Sequence, residues 1–292
     1  MEADTSIIKP PSLAFKVTSH GITDPGRVRS TNEDQFLIAE LAKTMRIWQT
    51  SLPARNAQFG GERGHLFLVA DGMGGHLAGE RASALAVAAI EQFTLNTLKW
   101  FFDTKRDDAQ RVLAQFRTAL TQADRQIVAA AADDPALRGM GTTVTMAYQL
   151  DAQLCVVHVG DSRAYVYRND VLHQLTKDHT VLAEMVRSGA ISEEDAVGHR
   201  LRHIVTNVVG GPEQGLFVEA HAVELHAGDF LLLCSDGLTE MVSNEAIAEV
   251  LKAEHEPEAA CRRLLEDANR AGGRDNMTIV IVRFDAAGEG EA

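Results

Sequence analysis

The chain has 292 residues, a net charge of −13, and 45% apolar against 24% charged residues. That size allows one large domain or two small ones with ample core, and the acidic balance speaks against nucleic acid as a partner. The three cysteines, Cys155, Cys234 and Cys261, form no C-x-x-C pair and read as buried free thiols of a reducing compartment; no apolar run reaches the roughly 18 residues of a membrane span.

Residues 1–12 read as a loose lead-in, and the N-terminus lacks the basic and apolar regions of a secretory leader, so a cytoplasmic protein is expected. Ala14–His20 reads as a strand and Gly21–Gly26 as a turn. Gln35–Ala39 reads as a second strand, preceded by the polar cluster Arg29, Asn32, Glu33 and Asp34. Lys43–Gly64, with Pro53, Gly60 and Gly61, has the composition of a surface insertion. Leu66–Ala70 is an unbroken apolar run of strand length. Beyond Leu77, Ala82, Leu85, Ala86, Ala89, Ile90 and Phe93 recur at helical spacing. A second helix is expected over Asp107–Ala131, closed by Asp133, Asp134 and Pro135. The aromatic cluster in Trp100–Lys105 reads as packing.

The pattern then turns to strands: Thr142–Gln149, Leu154–Val159, Ala164–Arg168 and Val171–Leu175, the last two joined by the hairpin signal Asn169-Asp170. Thr176–Gly211 is a polar excursion with a short helical pattern over Thr180–Ser188, a length typical of functional lids. Strands over Phe217–Leu225 and Phe230–Cys234 follow, then helices from Ser243 and over Glu256–Ala271, a last strand at Met277–Phe284 and a disordered tail, 286–292. Short links force antiparallel pairing, so the expected class is α+β, in layers.

Asp71 follows Leu66–Ala70 directly and is itself followed by Gly72, Met73, Gly74, Gly75 and His76. A carboxylate at the end of a core strand, on a backbone bare enough for close approach, is open to three readings: a tight turn, a nucleotide loop, or a hard-cation site. The recurrence of the arrangement weighs on the choice. Asp161 follows V-V-H-V-G, Asp236 follows L-L-L-C-S, Asp275 precedes a seven-residue stretch beginning at Asn276, and Glu33 and Asp34 precede Q-F-L-I-A. Turn preference alone does not account for so many. If these strand ends converge, their charges repel strongly, and bound divalent cations remove that repulsion.

In this order, R-S-T-N-E-D (Arg29–Asp34), D-G-M-G-G-H (Asp71–His76), M-G-T-T (Met140–Thr143), G-D-S-R (Gly160–Arg163), S-D-G-L (Ser235–Leu238) and R-D-N-M-T (Arg274–Thr278) resemble the motifs of the PPM, or type 2C, metal-dependent serine/threonine protein phosphatases in their bacterial form. The resemblance covers roughly residues 13–285. It implies a β-sandwich of two antiparallel sheets flanked by helices, four layers α-β-β-α, with Thr176–Gly211 as a flap. It implies two Mn2+ or Mg2+ ions and, in bacterial members, a third. Carried over by position, Asp71 would bridge two ions, Gly72 would offer its carbonyl, and Asp236 and Asp275 would complete one of them. Glu33 and Asp34 would hold metal-bound waters, Asp161 with Asp236 a third ion, and Arg29 the substrate phosphate. It further implies hydrolysis of phosphoserine and phosphothreonine by a water activated between the metals, without a covalent phosphoenzyme. A monomer opposing a serine/threonine kinase is expected, with neither nucleic acid nor membrane as partner.

One position departs from animal members, which carry a histidine after the D-G pair, proposed as the acid for the leaving oxygen; here it is Met73. His76 and a water remain as donors. Asn276 reads as orienting Asp275 or a metal water, or as a strand cap. Arg27 reads as a second phosphate contact or a surface charge. His199 and His203, four apart, are zinc candidates without an evident third ligand, or solvated. Two other functions stay on the table: a catalytically silent binding module, which the retained carboxylates and Arg29 disfavour, and a nucleotide-binding protein built on Gly72–Gly75, which leaves Asp236 and Asp275 unexplained.

Overall fold

The computed structural model describes residues 15–42, 63–75, 77–97, 108–196, 198–211 and 215–287. The lead-in, most of the insertion at 43–64, the Trp100–Lys105 cluster, His76 and most of the tail lie outside the described residues.

The first half comprises β1 (Phe15–Asp24), β2 (Gln35–Ala42), β3 (Arg63–Ala70), the two-residue β4 (Gly72–Met73), α1 (Leu77–Thr97), α2 (Asp108–Asp133), β5 (Gly141–Thr142), β6 (Val144–Leu150) and β7 (Gln153–Val159). The second comprises β8 (Arg163–Arg168), β9 (Val171–Gln174), α3 (Val181–Arg187), α4 (Glu193–Ala196), β10 (Glu219–Glu224), β11 (Asp229–Cys234), α5 (Asp236–Thr239), α6 (Asn244–Ala253), α7 (Pro257–Arg270) and β12 (Met277–Ala286). One five-stranded sheet runs β1-β12-β11-β8-β9, the other β10-β7-β6-β3-β2, and every pairing is antiparallel. The α+β sandwich expected from the sequence is the fold observed.

Each buried strand serves two layers. Along β12, Met277, Ile279 and Ile281 pack under Ile247 and Leu251 of α6 and Ala260, Cys261 and Leu264 of α7. The alternate residues Val280, Val282 and Phe284 meet Phe67, Val69 and Val156 of the facing sheet. On that sheet's outer side, Leu66, Leu68, Met146 and Tyr148 carry α1 and α2 through Ala82, Ile90, Phe116 and Leu120. Alternation across the pleat with cover on both sides is why these strands read as unbroken apolar runs.

Some boundaries differ from the sequence reading. The turn expected at Gly21–Gly26 starts later, because β1 pairs with β12 as far as Asp24↔Met277; tertiary pairing outweighs the weak strand preference of glycine. β10 begins at Glu219 rather than Phe217, because Phe217 is held by the Asn207 side chain, which donates to Phe217 O (2.7 Å) and accepts from Phe217 N (3.2 Å). The Asn169-Asp170 hairpin forms as expected, with φ of 51° and 63°, the left-handed pair that matches strand twist. In the excursion, Thr180 caps α3 by accepting from Ala183 N at 3.1 Å.

Register explains where the carboxylates go. Gln35 pairs with Ala70, Val69 with Thr145 and Val144 with Val159. In the other sheet Cys234 pairs with both Arg163 and Ile279. The end of β3, the start of β2, the end of β7, the start of β8, the end of β11 and the start of β12 therefore share one edge of the sandwich.

Candidate metal centre

At that edge the main chain of Asp71 is clamped. Its N–H donates to Thr143 Oγ1 (3.0 Å), and its carbonyl accepts from Thr143 N (2.9 Å) and Thr142 Oγ1 (2.9 Å). Thr143 Oγ1 also bonds Ser162 Oγ at 2.8 Å. The threonines of M-G-T-T and the serine of G-D-S-R thus hold the strand end that carries Asp71, roles the sequence reading left unassigned.

Asp34 is almost wholly buried. Its Oδ2 accepts from Ser235 Oγ at 2.7 Å, while Oδ1 is buried without a hydrogen-bond donor. A buried carboxylate oxygen without a partner is costly. Asn276 organises the loop in front of it: Oδ1 accepts from Glu33 N (2.9 Å), and Nδ2 donates to Thr31 O (2.8 Å) and Pro25 O (3.1 Å). Its own N–H donates to Asp275 Oδ1 at 2.9 Å. The bond to Asp275 thus comes from the Asn276 main chain, while the side chain anchors the 25–33 loop. At the mouth, Arg29 Nη2 donates to Asp275 Oδ2 at 2.6 Å, with the arginine side chain 56% exposed.

The carboxylates burden one another. Burial first, then the charges of Asp34, Asp236, Asp161 and Asp275, push Asp71 well above the usual range. Burial, then Asp161, Glu240, Asp275 and Asp34, do the same to Asp236. Burial raises Asp34 to about 6, against hydrogen bonds that pull it down, and burial with Asp178 raises Asp161 to about 7. Mutual repulsion, an all-oxygen donor set and the orphaned Asp34 Oδ1 fit hard divalent cations. Asp71, Asp236 and Asp275 do not close to within 4.8 Å of one another as a trio; among the described residues the sets that do are His203–Asp236–Glu240 and His158–His179–Glu219.

Glycine makes room for Glu33. A Cβ on Gly79, in the first turn of α1, would collide with Glu33 Oε2, and one on Gly72 would meet the carbonyls of Gly79 and Glu33. Gly79 was missed in the sequence reading; its signal was an isolated glycine inside a helical pattern, costly unless space is needed. G-D-S-R supplies a further link: Arg163 forks Asp178 through Nε (2.8 Å) and Nη2 (2.6 Å), tying this edge to the start of the excursion.

The remaining candidates separate. Met73 is half-buried and pairs with Gly141; His76 lies outside the described residues. His199 does not join His203: its Nδ1 accepts from Leu201 N, and His203 turns to Glu240. Arg27 lines a surface cavity with Leu265, Glu266, Asn269 and Arg270. The apolar setting of the cysteines is as expected: all are buried and free, and burial pushes each thiol up to about 12.

The family model for protein phosphatase 2C matches residues 56–269. The chain belongs to that family. The serine/threonine phosphatase stp of Listeria monocytogenes is 34% identical over 268 residues, covering 92% of this chain and 96% of its own. Protein phosphatase PhpP of Streptococcus pneumoniae is 35% identical over 266 residues, 90% and 96% of the two chains. Among solved structures, the S. agalactiae serine/threonine phosphatase superposes with a TM-score of 0.77 at 29% identity, covering 92% of this chain and 99% of that one. The catalytic domain of PstP in complex with two manganese ions gives 0.71 at 33%, covering 92% and 98%. In this member of the protein phosphatase 2C family, all the motifs quoted from the sequence lie at or beside the carboxylate edge, apart from His76, which is not described.

Proposed function

We propose that this chain is a metal-dependent protein phosphatase that hydrolyses phosphoserine and phosphothreonine. The observation that carries the reading is the gathering of Asp34, Asp71, Asp161, Asp236 and Asp275 at one edge, with a buried carboxylate oxygen lacking a donor and Arg29 at the mouth. Asp71, the Gly72 carbonyl, Asp236 and Asp275 would hold two divalent ions, Mn2+ or Mg2+. Glu33 and Asp34 would anchor their waters, and Asp161 with Asp236 would serve a third ion. Such ions, when bound, lower the pKa of a shared water and neutralise charge growing on the phosphoryl oxygens.

The chain's own groups do the rest. Arg29 offers a planar fork to two phosphoryl oxygens, and its bond to Asp275 fixes the approach. Water adds to phosphorus in line as the serine or threonine oxygen departs with a proton from His76 or solvent. No phosphorylated side chain is formed, in keeping with buried cysteines whose thiols stay protonated. The substrates are phosphoproteins, and the opposing enzyme is a serine/threonine kinase. No described helix is long and apolar enough to cross a membrane. The free, buried cysteines support a cytoplasmic setting, and the monomer is the working state. The 13–285 phosphatase domain with its 176–211 flap is the unit to express.

Phosphate release from a phosphothreonine peptide tests the reading. Expected are dependence on manganese, abolition by EDTA, and a fall of about 100-fold or more for Arg29→Ala, the scale of losing a charge-stabilising donor. Folded protein without turnover at any manganese concentration overturns it.

A further inference from the structure

Two arginines beside the metal centre have no part in it. Arg27 and Arg274 are both exposed, and among the described residues neither guanidinium has a hydrogen bond or an ion pair. Two basic neighbours are already matched: Arg29 meets Asp275 at 2.6 Å and Arg270 meets Asp267 at 2.6 Å.

The main chain brings the two free groups to one place. Arg27 N donates to Gly273 O at 2.7 Å. Gly26, at a φ of 78°, lies so close to the Gly273 and Asp275 carbonyls that a Cβ there would collide with both. A Cβ on Gly273 would stand 3.2 Å from Arg27 Cγ, and one on Gly272 would stand 3.8 Å from Arg274 Nε. The bare glycine pair thus leaves room for both side chains. Arg27 precedes Arg29 by two residues and Arg274 directly precedes Asp275, so this basic rim adjoins the place proposed for the substrate phosphate.

Charge decides what the rim suits. The chain carries −13 and carboxylates fill the neighbouring edge, so an acidic stretch of substrate is repelled unless a local positive field meets it. Unpaired guanidinium forks match a carboxylate. Arg27 also lines a cavity of about 320 Å³ with Leu265 and Asn269 of α7, where Leu265 offers an apolar wall to the stem of an acidic side chain. Glu266, the carboxylate in that lining, lies about one helical turn back along α7 from Asn269.

We propose that Arg27 and Arg274 form a specificity subsite that binds a carboxylate side chain of the phosphoprotein near the phosphoresidue held at Arg29. The inference rests on the proposed function and deepens it: the substrates are phosphorylation sites with acidic flanks. Arg27 and Arg29 are separated by at most about 7 Å of loop, and the arginine stem adds a comparable reach. An extended substrate chain, at about 3.3 Å per residue, covers that span in about two to four residues.

Phosphate release by the full chain in manganese is compared on three phosphothreonine peptides. They are alike except for glutamate, alanine or lysine at the second to fourth positions on both sides. The glutamate peptide is expected to exceed the alanine peptide by about fivefold in kcat/KM, the upper scale of an exposed ion pair, through KM rather than kcat. High salt should shrink the advantage. Arg27→Gln with Arg274→Gln should erase it, and Arg27→Glu with Arg274→Glu should turn it toward the lysine peptide, an inversion that damage to the fold does not produce. Hydrolysis that is equal on the three peptides or favours lysine in wild type, or a glutamate preference untouched in the double variants, overturns the subsite and leaves the phosphatase reading intact. No hydrolysis of any peptide at any manganese concentration sinks both.

Discussion

The carboxylate edge and the His158–His179–Glu219 cluster use metal-binding side chains to opposite ends. In the histidine cluster every group finds its complement inside the fold: Thr145 Oγ1 and Lys177 O meet His158, Gly160 N meets His179, and Lys177 N and His221 meet Glu219. Burial, then His179, lowers His158 to about 4. Burial would raise Glu219, but hydrogen bonds from His179, His221 and Lys177 N outweigh it and bring the carboxyl to about 2. At the carboxylate edge the neighbours are other carboxylates, and Asp34 Oδ1 has no donor. Saturation marks a structural cluster; an unmet demand for positive charge marks a functional one.

Removing a ligand should separate the two most sharply. Asp71→Asn is expected to lower kcat/KM by more than the roughly 10–100-fold typical of outer partners of a metal site, with the metal-free melting temperature held or raised, because one repelling charge is gone. Lost activity with a collapsed fold would instead place Asp71 among structural groups.

The converse variant is Glu219→Gln. It should cost about 1–3 kcal/mol in urea unfolding, the scale of a buried hydrogen-bond partner lost, with the manganese stoichiometry unchanged. A missing manganese equivalent would erase the distinction between the saturated cluster and the carboxylate edge.

Titration of the metal-free protein gives opposite signs. Asp34 lies near 6 when folded and near roughly 3.9 in an unfolded chain. Its contribution is therefore full below the lower value and lost as pH rises through the upper one. For His158, about 4 folded against roughly 6.5 unfolded, stability is lost as pH falls below the higher value. In EDTA, Asp34→Asn should accordingly raise the melting temperature at pH 8 relative to wild type and do less at pH 5, and added manganese should favour wild type instead. A wild-type advantage at pH 8 in EDTA would contradict the unmet-charge account.

The smallest expected effect is at Gly79. The position is buried in the first turn of α1, and an alanine Cβ there would collide with Glu33 Oε2 and crowd the main chain of Gly72. Gly79→Ala should weaken manganese binding by about tenfold and cost some stability where the Cβ presses on the Gly72 main chain; an unchanged affinity would remove Glu33 from the metal centre.

The sequence by itself determined the layers and the candidate carboxylates. Both follow from local, periodic or directly adjacent signals: apolar runs of strand length, helical stripes over Ala82–Phe93, and an aspartate or glutamate at successive strand ends. Tertiary structure alone decided which polar groups are paid in kind and which are left wanting. The clamp of Thr142 and Thr143 on Asp71, the reach of Asn276 across to Glu33, the fork of Arg163 on Asp178 and the turn of His203 to Glu240 rather than His199 all join residues whose partners are set by sheet register and packing. Hydrogen bonds and charge act through distance in space, and nothing in residue order measures that distance.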